Sequence, residues 1–363
     1  MTNDQSIIKE IGEWFRLLSN FDLRGAADKR VEVCDLLSSK ETSKQVKDYF
    51  HLVDFRHKVT TGEIIHRPVK QKELKSIYAI TETDRVLEYL YHYMEGFIHF
   101  NQDNYKIALK HYRVAEKSLH KANRYEQAEF YYRFGASLYR IDQNIIAMNY
   151  INEAYEIFKT SDNHQRRRTN CLVLMACIQS EAKSFHKASQ LFEHTLELSA
   201  PYPYMNSLVL RNRGLHEYRQ GFYEVAKHSF YDALHTGNQS QTIVGEKTKY
   251  NLANIYLKLG DIEKGLLLLN EVEQEFRSCD LNEYIGRCMV TRGLYAFEDI
   301  NIDLVDKGIE VFDQNNLYFQ KGEVTEEVSN RFNDKKAYDQ ALKFMEISKN
   351  TSIEQTYMGI VNI

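Results

Sequence analysis

The sequence contains only three prolines and one tryptophan among its 363 residues. Proline interrupts helices because its ring has no N–H to donate and clashes with the preceding turn. The shortage of proline therefore predicts long, uninterrupted helices. No apolar run reaches the roughly 18 residues that a membrane-spanning helix needs, and residues 1–5 resemble no secretion leader. We expect an all-α protein of the cytoplasm, with no membrane contact.

Common catalytic and metal-binding patterns are also missing. The sequence has no phosphate loop and none of the GxGxxG, HExxH or GxSxG motifs. Its five cysteines form no C-x-x-C pair, and their odd number is typical of reduced thiols. For His111, His228 and His235, ordinary core or surface roles are favoured over metal ligation. We expect no metal site and no cofactor of the protein's own.

The charge balance argues against a nucleic-acid partner. The net charge is −4 and the isoelectric point about 6.4, whereas nucleic-acid-binding proteins usually carry a basic surface. Residues 1–60 contain equal numbers of basic and acidic side chains. A DNA-reading helix needs a basic footing on phosphate, so we expect this segment to bind protein instead.

Small side chains recur at a fixed spacing along most of the sequence. In the first copy Gly96 and Ala108 are followed by Tyr112 and Ala115. The second small residue recurs at spacings of 39, 41, 38 and 39 residues, at Ala147, Ala188, Ala226 and Gly265. The order small–small–large–small is the tetratricopeptide signature, in which small residues let two helices of a hairpin approach closely. Weaker copies centre on Gly293 and Ala341.

The repeats predict a fold and a division into domains. We expect a three-helix bundle over residues 1–60, with helices at 5–19, 23–38 and 42–59, which binds a protein partner. A linker over 61–80 follows, and it contains Gly62 and Pro68. Residues 81–363 then form a superhelical array of about seven helical hairpins.

The first helix of each hairpin lines the inner wall of such an array, which is where a peptide could bind. Asn212 and Asn251 occupy equivalent positions, two residues before the small residue of the first helix. A side-chain amide can clamp an extended peptide backbone, or it can bond to the next helix, and both roles stay open. The other candidates on neighbouring faces are Arg211, Tyr218, Lys247, Tyr250, Asn254, Tyr132, Tyr139 and Glu129.

Four segments resemble a known family. They are residues 11–15 (IGEWF), 49–57 (YFHLVDFRH), 91–97 (YHYMEGF) and 128–132 (AEFYY). Together they are similar to the Rap family of response-regulator aspartate phosphatases, which act in quorum sensing, sporulation and competence. The resemblance implies that the bundle grips a response regulator. It also implies that a short imported signalling peptide binds the repeats, so that the bundle folds onto them and the regulator is released.

The resemblance further implies how the phosphatase members of the family work. A glutamine on the third helix of the bundle orients the attacking water, and the regulator supplies its phospho-aspartate and Mg²⁺. The family's glutamine position falls on Lys44 here, with Gln45 adjacent. Three functions therefore stay open: an antagonist that only binds the regulator, a phosphatase that uses Gln45, and a non-enzymatic scaffold. The expected outward-facing partner surface comprises Lys44, Gln45, Lys47, Asp48 and His51.

Overall fold

The computed structural model describes residues 3–61, 85–102 and 104–361. Within these ranges the chain forms 17 α-helices and no β-strand, which confirms the predicted all-α class. None of these helices has both the length and the apolar character that crossing a membrane requires. The chain divides into two compact units, Met1–Cys171 and Leu172–Val361.

The first three helices form the predicted bundle in the first unit: α1 (Asn3–Ser19), α2 (Leu23–Ser39) and α3 (Lys44–Thr61). Ile7, Ile11 and Trp14 of α1 are fully buried because they recur on one side of the helix. The indole nitrogen of Trp14 donates to His57 Nδ1 at 3.1 Å, which ties α1 to α3. The side chain of Asp22 accepts from the Gly25 N–H and caps α2.

The remaining helices follow as seven consecutive pairs, in agreement with the predicted number. The pairs are α4 (Arg85–Asn101) with α5 (Tyr105–Glu116), α6 (Arg124–Tyr139) with α7 (Asn144–Phe158), α8 (Gln165–Glu181) with α9 (Phe185–Ser199), α10 (Pro203–Arg219) with α11 (Tyr223–His235), α12 (Ile243–Lys258) with α13 (Ile262–Ser278), α14 (Asn282–Tyr295) with α15 (Ile302–Gln314), and α16 (Tyr318–Asp334) with α17 (Tyr338–Val361).

The recurrent glycines allow the two helices of a hairpin to touch. A Cβ at Gly96 would lie 2.6 Å from the ring of Tyr112, and one at Gly214 would lie 2.7 Å from the ring of Phe230. Those distances are too short for real carbon contacts, so only glycine permits the observed approach. In each case the large residue is the one that the repeat pattern places four positions after the second small residue.

Residues typical of turns lie between the paired helices. Asp142, Gly221 and Gly260 have φ angles of 63°, 80° and 87°, which place them in the left-handed region that ends a helix. The predicted linker at 61–80 lies outside the described residues except for Thr61, the last residue of α3. The predicted domain limits at residues 60 and 81 therefore stay a prediction.

Candidate functional site

The predicted partner surface lies at the start of α3. Lys44, Gln45, Lys47 and His51 are exposed, as expected for residues that meet another protein. Lys44 and Gln45 are the first two residues of the helix, where unpaired backbone N–H groups give the helix end a partial positive charge. Two lysines beside that end form a surface that favours an anionic partner.

Asp48 departs from the prediction that it points outward, because only 4% of its surface is exposed. Burial raises the pKa of Asp48, and the charges of Lys44 and His51 offset the rise in part. Its Oδ2 atom has no hydrogen-bond partner among the described residues. The helical period alone put Asp48 beside Lys44 and Gln45, but packing within the bundle turns its side chain inward.

A buried ion pair joins the bundle to the repeats inside the first unit. Arg56 of α3 and Glu126 of α6 are 2% and 0% exposed, and the guanidinium donates to Glu126 Oε2 at 3.1 Å. The hydroxyls of Ser19 and Tyr89 also donate to this carboxylate, at 3.1 and 3.0 Å. Although burial opposes the charge, the carboxylate raises the pKa of Arg56 above its ordinary value. We call these four side chains the Glu126 cluster.

Glu129, a predicted peptide contact, takes part in a neighbouring ion network. Its carboxylate accepts from Arg133 at 3.1 Å and from Arg167 at 2.5 Å. Burial opposes ionisation of Glu129, but the nearby guanidinium groups outweigh it and lower the pKa. Tyr132 and Tyr139 are half-buried on the same helix, α6, and burial raises the pKa of Tyr132 to about 12. In this structure the Glu129 carboxylate, which was predicted to contact a peptide, is bonded to two arginines of the same chain.

The predicted asparagines lie on first helices in the second unit. The Asn212 amide donates to the Leu208 carbonyl at 2.7 Å, and its oxygen lies 3.5 Å from the Cys177 sulfur of α8. The sequence left two roles open for Asn212, a contact with a peptide and a bond to the next helix. The contact with Cys177 of α8 is a bond of the second kind. The Nδ2 atom of Asn251 is buried and has no hydrogen-bond partner in the described part of the chain. An unpaired buried donor is costly. The Asn251 amide nitrogen is therefore a candidate donor to a bound ligand.

Tyr250 and Asn254 of α12 are buried, at 5% exposure each. Both take part in hydrogen bonds that join neighbouring helices. The Tyr250 hydroxyl lies 2.9 Å from Thr291 Oγ1. The Asn254 oxygen accepts from the Tyr218 hydroxyl at 3.3 Å. These bonds connect α10, α12 and α14, and they hold the surface around Asn251 in place.

A carboxylate that the sequence analysis missed completes this network. Glu327 of α16 accepts from the hydroxyls of Tyr218 and Tyr295, both at 3.3 Å, and pairs with Lys258 at 2.8 Å. Burial opposes ionisation of Glu327, but the adjacent Lys258 outweighs it and lowers the pKa. The repeat pattern contained the signal: twelve positions before Ala341 is Ser329, and Glu327 precedes it by two, as Asn212 and Asn251 precede their small residues.

Two predicted cations meet at one aromatic ring in the same unit. Arg211 donates to the Tyr284 hydroxyl at 3.4 Å, and Lys247 Nζ lies 4.9 Å from the centre of the Tyr284 ring. The Arg211 Nε atom has no hydrogen-bond partner among the described residues. With Asn251, these side chains offer donors and positive charge on the first helices, a combination suited to the backbone and carboxylates of a peptide.

Comparison with known proteins shows what this chain is similar to. Residues 1–61 match the family described as response regulator aspartate phosphatase H, N terminal. The regulatory protein RapG of Bacillus subtilis (strain 168) is 23% identical over 272 residues, which cover 74% of each chain. The crystal structure of a Rap protein complexed with Competence and Sporulation Factor superposes with a TM-score of 0.89. That structure is 22% identical and covers 98% of this chain and 99% of its own.

One similar protein is named as a methyltransferase and not as a Rap protein. A protein of Rhodococcus hoagii called type II methyltransferase M.CeqI is 28% identical over 355 residues, which cover 97% of this chain and 68% of that protein.

Proposed function

We propose that this chain is a Rap-type protein: a cytoplasmic, peptide-controlled receptor that binds and inhibits a response regulator. The regulator would bind the exposed start of α3, and a short imported signalling peptide would bind the first helices of the second unit. The observation that carries the proposal is the match of residues 1–61 to the N-terminal model of response regulator aspartate phosphatase H, together with the exposed side chains there.

The chemistry of both surfaces supports this assignment. Lys44 and Lys47 add positive charge at the N-terminal end of a helix, which suits the acidic site of a regulator that carries an aspartyl phosphate. Asn251 has a buried, unpaired amide donor, and Arg211 and Lys247 lie at one ring. Those groups suit an extended peptide with a carboxylate.

A second candidate is an active phosphatase. Gln45 is exposed beside Lys44 in the first turn of α3, and a glutamine amide can orient the water that attacks an aspartyl phosphate. The regulator would bring the Mg²⁺. A plain scaffold, the third possibility, would bind neither a regulator nor a short peptide.

Charge reversal at the partner surface tests the regulator assignment. Against a panel of purified response regulators, the Lys44→Glu, Lys47→Glu double variant should bind its regulator at least about tenfold more weakly, because like charges repel across an interface. Affinity is measured by surface plasmon resonance. Lys9→Glu on α1, which is also exposed, serves as the control and should bind normally. If the double variant bound the regulator with unchanged affinity, the start of α3 would not be the partner surface.

The same mixtures distinguish the first two candidates. Phosphate loss from the phosphorylated regulator that slows by roughly 100-fold in Gln45→Ala would identify an active phosphatase. Complex formation without any phosphate loss would identify an antagonist that works by binding alone.

Asn212→Ala tests the peptide site. We expect the variant to bind its signalling peptide more weakly by about 1–3 kcal/mol, because the removed amide leaves polar partners without bonds. The measurement is isothermal calorimetry with peptides selected from a library of synthetic pentapeptides. Asn330→Ala, at an exposed position of α16, is the control. Equal affinities for the two variants would exclude Asn212 from the site.

A further inference from the structure

A compact group of side chains able to bind a metal lies between α4 and α5, and none of its members belongs to either proposed binding surface. Glu95 and His99 of α4 and His111 of α5 each place one ligand atom within 4.8 Å of the others. Glu95 and His99 are 1% and 7% exposed, while His111 is half-buried. The half-exposed histidine leaves an approach from solvent, which an ion needs to enter.

The polar atoms of this group are incompletely bonded. Glu95 Oε2 is buried without a hydrogen-bond partner among the described residues, and so is Nδ1 of His99. His99 Nε2 lies 3.6 Å from Glu95 Oε2, beyond hydrogen-bonding distance. Buried polar atoms normally find partners, so an unpaired carboxylate oxygen that faces an imidazole indicates a place for a cation.

The spacing suits a borderline metal ion. In a tetrahedral zinc site with bonds of about 2.0–2.1 Å, two ligand atoms lie about 3.3 Å apart, close to the 3.6 Å between His99 and Glu95. The rings of His99 and His111 are stacked with their centres 5.6 Å apart. The three ligand atoms lie within 4.8 Å of one another, so an ion bound by all three would draw them closer together.

A fourth residue supports the arrangement. Nδ1 of His92 lies 2.9 Å from Nδ1 of His111, so one imidazole donates a proton to the other. Histidines that bind metals usually have such a hydrogen bond, because it fixes the ring and its tautomer.

We propose that Glu95, His99 and His111 form a binding site for a zinc-class divalent ion, with His92 as the hydrogen-bond partner that orients His111. The two histidines and one carboxylate leave a fourth position for water. The ion would link α4 to α5 and so stabilise the first hairpin after the bundle. The sequence analysis favoured an ordinary role for His111 because residues 95, 99 and 111 match no known metal motif.

The test is metal binding by the full chain, freed of affinity tags and treated with a chelator. Equilibrium dialysis against Zn²⁺ should show one ion per chain, and the melting temperature should rise by a few degrees. His111→Ala and the nearly isosteric Glu95→Gln should each weaken binding by at least about tenfold. His120→Ala, an exposed histidine just after α5, should bind Zn²⁺ as the wild type does.

Three outcomes would overturn the proposal: wild-type protein that retains no Zn²⁺, equal affinities for His111→Ala and His120→Ala, or binding that disappears in a Cys34→Ser, Cys279→Ser double variant. Those two thiols are exposed and are the other soft ligands at the surface. Circular dichroism of each variant shows whether it is folded, and Glu95→Gln decides the question if a histidine variant is not.

Discussion

Replacing Glu126 by glutamine is expected to lower the free energy of unfolding by about 3–5 kcal/mol. The variant keeps the shape of the side chain but leaves the guanidinium of Arg56, which is 2% exposed, without its counter-charge. A buried charge that loses its partner costs more than the intact pair contributes, because the desolvation penalty remains. Urea denaturation of the wild type and the variant measures the difference.

The control for this prediction is an exposed ion pair of the same chemistry within the bundle. Glu13 and Arg16 of α1 pair at 2.6 Å, but their side chains are 41% and 56% exposed. Water screens such pairs, so Glu13→Gln should unfold at the same urea concentration as the wild type. If Glu126→Gln also left the unfolding midpoint unchanged, the Glu126 cluster would not be buried as described.

The same variant has a functional consequence under the proposed mechanism. Arg56 lies on α3, whose first turn is the proposed regulator surface, and Glu126 lies on α6 in the repeats. A weaker Glu126 cluster would favour separation of the bundle from the repeats, the form that grips a regulator. Glu126→Gln should therefore need more peptide than the wild type to release its regulator.

Glu327→Gln is expected to lower the free energy of unfolding by about 2–3 kcal/mol. The effect is smaller than at Glu126 because the side chains of Glu327 and Lys258 keep 24% and 12% exposure. The variant removes the counter-charge of Lys258 and weakens the bonds from two tyrosine hydroxyls. Glu326→Gln, an exposed neighbour on the same helix, is the matched control for the denaturation experiment.

The pH dependence gives a second check on Glu327. Its pKa is lowered below 4.5 in the folded protein, so the folded state binds the proton less tightly than the unfolded state does. The contribution of the carboxylate to stability is therefore complete above about pH 4.5 and is lost as the pH falls through the lower folded pKa. The difference between the wild type and Glu327→Gln should be constant from pH 5 to 7 and shrink in stronger acid. A difference that grew on acidification would contradict this assignment.

Much of the fold could be predicted because it depends on local pattern. The spacing of Gly96, Ala108 and Tyr112 repeats in each copy, and the contact of a small residue with a large one is made within a single hairpin. The start of α3 was likewise predictable, since exposure follows the helical period once the helix is known. Asp48 shows the limit of this reasoning: the helical period placed its side chain outward, but tertiary packing leaves only 4% of it exposed.

The sequence by itself determined the helices, their pairing into hairpins and the turns between them, because these depend on residues fewer than about 20 positions apart. Only the tertiary structure decided which charges are buried together. Arg56 meets Glu126 across 70 positions, and Tyr218 meets Glu327 across 109. No helical period connects residues so far apart, and the free energy of a charge depends on the packed helices that remove water from around it.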